Sequence, residues 1–548
     1  MIIALAQLNF VVGDFDRNKH CIIDTIGLAK KQNADLVVFS ELSVCGYPPY
    51  DLLEADCFVA KCIETVQEIA LHCTDIAAIV GAPSLNSGAG GKRLFNSAFL
   101  LYEQKIQSVY HKGLLPTYDV FDEYRYFEPA SSFSTIVVKG RTIALTICED
   151  IWTTDTPPLY AKNPLDAMIA DNPECIINVS ASPFSWSHPK TRKTTFTSIA
   201  KKYGLPLFVS NQVGGHGELI FDGQSAGFTA NGAIIQEAKP FEEALLFFDL
   251  DEAIQNNAPG WKTENFDCPK NELIFDALVF GIREFFGKQG FSKAVVGLSG
   301  GLDSAIVLVL AANALGPENC LAVLMPGPYS TDHSVTDALQ LANNVGVPHK
   351  TVPIHPVFES LYQTMQPIFG YLPDDITEEN YQARIRAIVL MGIANKLGYV
   401  LLNTSNKSEA AVGYGTLYGD MCGALAVIAD LYKTEIYNLA HYINRHSEII
   451  PSNTIIKPPS AELKPDQKDT DSLPEYEVLD HILYLLIEKR MATKQIVSQG
   501  YDETLVEKVY RLLHSSEFKR RQAPPVLRVS AKAFGYGRKM PLIWRYKE

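Results

Sequence analysis

Residues 293–304 read Lys-Ala-Val-Val-Gly-Leu-Ser-Gly-Gly-Leu-Asp-Ser. An apolar strand over Ala294–Leu298 runs straight into a Gly-rich turn, and an apolar helix follows over 304–315. This order predicts a strand, a tight turn and a helix N-terminus in immediate succession, which is the way a chain builds a cradle for an anion. Gly300 and Gly301 let the backbone come close to the charge, and Ser299 and Ser304 add hydroxyl donors. The first N–H groups of the helix and its positive end face the ligand. No Lys follows the second Gly, so the turn is not the Gly-x-x-x-x-Gly-Lys-[Ser/Thr] loop, and γ-phosphate transfer is disfavoured. The alternative is an ordinary Gly-rich strand–helix turn.

With 548 residues the chain is too long for one core, and about two to four domains are expected. A 47% hydrophobic and 20% charged composition fits a soluble globular protein. The net charge of −14 argues against a broad nucleic-acid-binding surface. The apolar start, Met1–Phe10, has no basic stretch before it and is followed by Asp14 and Asp16, so it reads as a first strand rather than a signal peptide. No apolar run is long enough to span a bilayer. Ten cysteines without a Cys-x-x-Cys pair argue against a zinc cluster and for a reducing, cytoplasmic setting.

Residues 1–250 alternate short apolar runs with polar turns and helix-like stretches such as Lys19–Lys31 and Cys57–Cys73. The pattern fades over 251–270, which reads as a linker. From 271 to 548 the order is helix (Asn271–Lys288), strand, Gly-rich turn, helix, strand (Cys320–Met325), further helices and a strand at Tyr399–Asn403. Such alternation predicts an α/β, doubly wound parallel sheet. Pro451–Tyr476, rich in Pro, Lys and Asp, is expected to be a loop that orders over a ligand.

Three segments of the first half end apolar strands with polar residues: Phe39-Ser40-Glu41-Leu42, Tyr110-His111-Lys112-Gly113 and Ile147-Cys148-Glu149-Asp150. If they converge on one sheet edge, Cys148, Glu41 and Lys112 make a nucleophilic amidase. Lys112 would pull the thiol toward thiolate and stabilise the oxyanion. Glu41 would take the thiol proton and later activate water. Singly, each residue has a plain alternative: a core cysteine, or a solvated Glu or Lys.

Together the three segments resemble the nitrilase (carbon–nitrogen hydrolase) superfamily, with its Glu–Lys–Cys signature, over roughly residues 1–250. The resemblance implies a four-layer αββα sandwich there. Glu123, in Asp-Glu-Tyr-Arg-Tyr-Phe, matches a second glutamate found beside that triad, with a solvated turn as the alternative. The Ser-Gly-Gly-Leu-Asp-Ser turn resembles the PP-loop of ATP pyrophosphatases, which transfer AMP and release pyrophosphate. The combination is similar to the glutamine-dependent NAD+ synthetase family over essentially the whole chain. Supporting stretches are Leu324–Ser330, Glu379–Arg386, Asn403–Glu409, Tyr418–Met421 and Phe518–Arg521.

That resemblance implies a carbon–nitrogen ligase that takes ammonia from L-glutamine and amidates deamido-NAD+ to NAD+, giving AMP, pyrophosphate and L-glutamate. It implies ATP contacts from Gly297, Leu298, Ser299, Gly300, Gly301, Leu302, Asp303, Ser304 and Thr404. Asn380, Glu409 and Lys519 match deamido-NAD+ contacts, while Asp303 and Glu409 match the surroundings of Mg2+. Lys433 is a candidate to offset phosphate charge, with a surface helix lysine as the alternative. Tyr118, Ser182 and His188 match glutamine-holding positions, although relatives carry Lys where His188 stands. The run Gly214-Gly215-His216-Gly217-Glu218 departs from an expected Gly-Gly-Gln-Asp-Glu. The family further implies a homo-oligomer built from synthetase-domain dimers and an enclosed ammonia passage. Two other readings stay open: a nitrilase-type amidase with an ATP-sensing module, and an amidotransferase acting on another carboxylate.

Overall fold

The computed structural model describes all residues except 89, 154–158, 256–267, 371 and 546–548. The chain divides into two units, Met1–Cys268 and Pro269–Glu548. Most of the expected linker, 256–267, lies outside the described residues. Its start does not: the helix Leu250–Ile254 buries Leu250 and Ala253 in the core of the first unit.

The first unit holds two six-stranded sheets. One orders the strands Ala244–Asp249, Ile2–Gln7, Leu36–Val38, Ala77–Leu85, Leu94–Tyr102 and Lys105–His111. The other orders Ile234–Glu237, Ala226–Phe228, Leu207–Asn211, Cys175–Ser180, Arg141–Ile147 and Ile136–Val138. In each sheet a parallel trio is flanked by antiparallel strands. The trios are near-continuous runs of Ile, Val, Leu and Ala because both of their faces are buried.

Alternation along Ile2–Gln7 sets the layers. Ile3 and Leu5 face the second sheet and share a core with Leu145, Ile177 and Phe208. Ala4 and Ala6 face the other way, toward Ile22, Ile26, Val66 and Ile69 of the helices Phe15–Lys31 and Asp56–Ala70. On the far side, Leu165, Met168, Phe196 and Ile199 cover the second sheet from the helices Pro164–Met168 and His188–Tyr203. The layer order is therefore helix, sheet, sheet, helix. Ser210 of the second sheet donates its hydroxyl to the Ala6 and Val38 carbonyls (3.2 and 3.1 Å) and so pins the two sheets together.

The second unit is built on a five-stranded sheet with the order His349–Thr351, Cys320–Leu324, Ala294–Gly297, Val400–Asn403 and Leu425–Ala426, parallel throughout. Ile385, Leu390 and Ala394 of the helix Ile376–Leu397 cover one face over Val295 and Val323. A second, helical core gathers Leu479, Ile482, Leu483, Val506, Val509 and Leu513. Chain order reverses at the central strand Ala294–Gly297, so the crevice beyond the carboxyl ends of Ala294–Gly297 and Val400–Asn403 is the topological switch point. Open α/β sheets bind ligands there. The Pro451–Tyr476 segment is partly helical, with a short helix at Ser452–Ile456.

Gly81 decides how close the first sheet comes to the turn after Leu36–Val38. A Cβ at Gly81 would lie 2.2 Å from the Leu42 nitrogen and 2.8 Å from the Glu41 carbonyl carbon, both backbone atoms. Gly81→Ala is expected to destabilise the protein by about 1–3 kcal/mol, as an overpacked core does. A urea unfolding curve measures it, and an unchanged midpoint would contradict this packing.

Candidate active sites

Glu41 and Lys112 follow the strands Leu36–Val38 and Lys105–His111 of the first sheet, but Cys148 follows Arg141–Ile147 of the second. The three segments therefore do not share one sheet edge, as the sequence suggested. They meet across the two facing sheets. Glu41 and Lys112 are fully buried, and Cys148 and Glu123 nearly so. Lys112 Nζ donates to Glu41 Oε1 at 2.7 Å and to both Glu123 oxygens at 2.8 Å. Glu123 is thus a buried partner of the cluster and not a solvated turn residue. Tyr47 donates its hydroxyl to Glu123 Oε1 at 2.9 Å. Asn96 Nδ2 donates to Glu41 Oε1 at 2.7 Å and to Glu123 Oε2 at 3.2 Å. The Ala181 amide, just past a second-sheet strand, donates to Glu41 Oε2 at 3.2 Å and ties Glu41 across the sandwich.

Charge follows from this geometry. Burial disfavours the Lys112 ammonium, yet Glu123 and Glu41 outweigh it and raise its pKa well above the ordinary value. Burial pushes Glu123 up to about 7; Lys112 pulls it down and Glu41 pushes it further up. Burial also raises the Cys148 thiol well above its ordinary value, Glu41 adds to this, and the pull of Lys112 is too small to reverse it. The expected pull of Lys112 toward thiolate is therefore outweighed by burial and by Glu41. Two buried carboxylates beside one ammonium leave an excess negative charge that disfavours a third anion. A thiol that must lose its proton as it attacks needs a base in place, and Glu41 is within electrostatic reach.

Cys148 opens a short 3-10 turn, Cys148–Ile151, with φ at +42°. A side chain other than glycine rarely adopts that region, and such strain is characteristic of functional turns. Asp150 holds the turn. Its Oδ1 accepts the Gly113 and Leu114 amides at 2.9 Å each, and its Oδ2 accepts the Ile147 amide at 3.1 Å and the Tyr110 hydroxyl at 3.3 Å. One carboxylate thereby binds the residues after Lys112 to the residue before Cys148.

Tyr118 donates its hydroxyl to Glu149 (2.9 and 3.1 Å), beside Cys148, and Tyr160 does the same at 2.9 Å. Ser182 is buried, with its amide donating to Asn211 Oδ1 at 2.9 Å. His188 starts the helix His188–Tyr203. Its Nδ1 donates to the Pro183 carbonyl at 2.9 Å, and its ring lies 5.5 Å from that of Trp152, which ends the Cys148 turn. His216, Gly217 and Glu218 lie at the tip of the hairpin Val213–His216 and Leu219–Asp222.

In the second unit a cavity of about 310 Å³ sits at the switch point. Gly297, Leu298, Ser299, Gly301, Leu302, Asp303, Ser304, Thr404 and Glu409 line it. Gly300 has φ +81°, and a Cβ there would lie 2.2 Å from the Ser334 carbonyl oxygen, so its part is to let the turn pack on that backbone. Ser304 Oγ lies 3.1 Å from Ser299 Oγ and donates to the Gly301 carbonyl at 3.0 Å, so the two serines brace the turn. The helix Leu302–Leu315 has no side-chain cap, which leaves its first N–H groups facing the cavity side of the turn.

Asp303 accepts from Asn406 Nδ2 at 3.1 Å and pairs with Lys433, which is buried and not a surface lysine. Asn406 Oδ1 in turn accepts the Glu409 amide at 2.9 Å, so one asparagine joins the two acidic residues. Burial and Asp303 push Glu409 well above the ordinary carboxylate range, against the pull of Lys433. Among the described residues no group of three or more His, Cys, Asp or Glu side chains could hold a metal ion. Asn380 and Lys519 meet on one loop. Asn380 Oδ1 accepts the Thr416 hydroxyl at 2.7 Å, and Lys519 Nζ donates to the Gly413 and Gly415 carbonyls at 2.8 and 2.7 Å. From the Pro-rich segment, Glu462 accepts from Ser334 Oγ at 2.6 Å and lines the cavity with Lys457.

Sequence reasoning missed Asn96, Tyr47, Asp150 and Glu462. A signal existed for Asn96, a polar residue interrupting the apolar run Leu94–Tyr102, and for Asp150, an acid two residues past the candidate nucleophile.

The NAD synthase family model matches residues 274–523, and the carbon–nitrogen hydrolase model matches residues 2–258. The glutamine-dependent NAD(+) synthetase of Synechocystis sp. is 45% identical over 549 residues, 98% of each chain. That of Acinetobacter baylyi is 41% identical over 552 residues, 99% of this chain and 98% of the other. Among solved structures, the glutamine-dependent NAD+ synthetase from Acinetobacter baumannii in complex with adenosine diphosphate is similar with a TM-score of 0.76 at 37% identity, covering 99% of this chain and 98% of that one.

Glu123 titrates at about 7 when folded, against an ordinary value of 4.5. A carboxyl raised in this way holds more protons folded than unfolded between those values, so its contribution to stability is lost as pH rises through them. Glu123→Gln removes that loss. Its unfolding free energy relative to the natural chain is expected to rise from about pH 4.5 to about pH 7 and then level off, as followed by urea unfolding at a series of pH values. A flat difference would contradict the raised pKa.

Proposed function

The chain belongs to the glutamine-dependent NAD(+) synthetases, and on that premise we propose that it amidates deamido-NAD+ to NAD+ with ammonia from L-glutamine, converting ATP to AMP and pyrophosphate. The observation that carries this reading is the coexistence in one chain of a buried Cys148–Glu41–Lys112 cluster and a Gly-rich anion turn at the switch point of a parallel sheet.

In the first unit, Cys148 Sγ attacks the glutamine carboxamide carbon while Glu41 takes the thiol proton. Lys112 stabilises the oxyanion by turning one of its three hydrogen bonds from Glu123 to the new charge. Glu41 returns the proton to the leaving ammonia, then activates a water that opens the thioester to glutamate. Tyr118, Ser182 and His188 hold the glutamine substrate.

In the second unit, the 297–304 turn and Thr404 hold ATP with its phosphates at the start of the helix Leu302–Leu315. Asn380, Glu409 and Lys519 hold deamido-NAD+. Its carboxylate attacks the α-phosphorus, pyrophosphate leaves, and ammonia displaces AMP from the acyl-adenylate. Lys433, buried beside Asp303, offsets charge at the phosphates. Asp303 and Glu409 would hold Mg2+, which needs only one or two carboxylates when phosphates supply its other oxygens. When bound, it neutralises phosphate charge.

Two further properties belong to the same proposal. The enzyme acts as a homo-oligomer through its synthetase half, supported by exposed Val357, Ile368, Ile376, Ile388 and Met391 on the helices His355–Phe369 and Ile376–Leu397. It works in the cytoplasm, supported by free cysteines such as Cys45, Cys62, Cys73, Cys175 and Cys320 among the described residues. Among the described residues no helix is long and apolar enough to cross a membrane.

Cys148→Ala is expected to abolish NAD+ synthesis from glutamine, by at least about 1,000-fold, and to leave synthesis from ammonium within about twofold. Loss of both activities in a folded variant would contradict two separate sites. Chelation of Mg2+ by EDTA is expected to stop AMP formation with either nitrogen donor and to leave glutamate release by the first site measurable. AMP formation that survives chelation would remove the metal from the proposal.

A further inference from the structure

Asn96 occupies an inward position on the strand Leu94–Tyr102 and is almost fully buried. It touches three members of the first site. Its backbone carbonyl accepts the Lys112 amide at 2.8 Å. Its Nδ2 donates to Glu41 Oε1 at 2.7 Å and to Glu123 Oε2 at 3.2 Å. Its Oδ1 is buried and has no hydrogen-bond partner among the described residues. Turning the amide over would give Nδ2 the empty side and aim Oδ1 at two carboxylates, so the carboxylates dictate the orientation. A buried asparagine kept only for packing would satisfy both ends, because an orphaned buried acceptor is costly. Here the acceptor is left unmet and the donor is spent twice on acids. An amide N–H donates to a carboxylate oxygen and holds it in place without accepting a proton in return.

We propose that Asn96 is a positioning residue of the glutamine-hydrolysing site, whose NH2 group fixes Glu41 Oε1 beside Lys112 and so orients the carboxylate that takes the Cys148 proton. The inference rests on the reading of Glu41 as the base for Cys148. It extends the site by a residue that neither reacts nor binds the substrate.

The test uses the full-length protein with Asn96→Ala, Asn96→Asp and Asn96→Ser, assayed for glutamate release and for NAD+ synthesis from glutamine and from ammonium. Thermal unfolding and ammonium-dependent synthesis certify the fold. Asn96→Ala is expected to lower kcat for glutamine about 10- to 100-fold, with KM within about threefold and ammonium-dependent synthesis within about twofold. Asn96→Asp nearly preserves the shape of the side chain but replaces the donor with a third carboxylate, so it is expected to be worse than Asn96→Ala. A space-filling role predicts the opposite order, and that order would overturn the proposal. If Asn96→Asp fails to fold, Asn96→Ser decides: its hydroxyl donor is expected to recover at least about threefold in kcat over Asn96→Ala. No recovery would overturn the proposal. Absence of glutamine hydrolysis in the natural chain would overturn both the proposal and the reading beneath it, whereas normal hydrolysis in Asn96→Ala overturns the proposal alone.

Discussion

The ammonium of Lys112, buried between Glu41 and Glu123, is the interaction on which the first unit depends. It sits where two sheets face each other, and two buried carboxylates would not remain there without it. Everything nearby serves that cluster. Gly81 gives the Glu41 turn room, Ala181 reaches across from the other sheet, and Asp150 ties the loop after Lys112 to the strained Cys148 turn. The carboxylates that raise the pKa of Lys112 also raise that of the Cys148 thiol, together with its burial.

The second unit answers to topology. Reversal of strand order at Ala294–Gly297 opens the crevice into which the Gly-rich turn, Thr404 and Glu409 project. Asn406 joins Asp303 to Glu409 through its own amide, and Lys433 neutralises Asp303 from the side. The crevice therefore carries charges of both signs.

Much of this was legible in the sequence, for identifiable reasons. The parallel strands are buried on both faces and so read as unbroken apolar runs; Ala294–Gly297 and Cys175–Ser180 stand out for that reason. Cys148, Glu41 and Lys112 stand out because polar residues end such runs. Three things were hidden. Which sheet carries each residue depends on long-range pairing, so the pattern allowed one shared edge where the structure has two facing sheets. The net charge state of Cys148 depends on the balance of burial against several charges, which no local pattern encodes. Glu123 and Lys433 read equally well as surface residues because their burial is tertiary. Asn96 was overlooked because one polar residue in a strand is commonplace until its partners are known.

The central claim is that one chain releases nitrogen from glutamine and places it in a carboxamide at the cost of ATP. The most direct measurement supplies ATP, deamido-NAD+ and glutamine labelled with 15N in its side-chain amide, and follows the products by mass spectrometry. The account predicts 15N in the carboxamide of NAD+, with AMP formed in step with each NAD+. Glutamate release without labelled NAD+ and without AMP would contradict it.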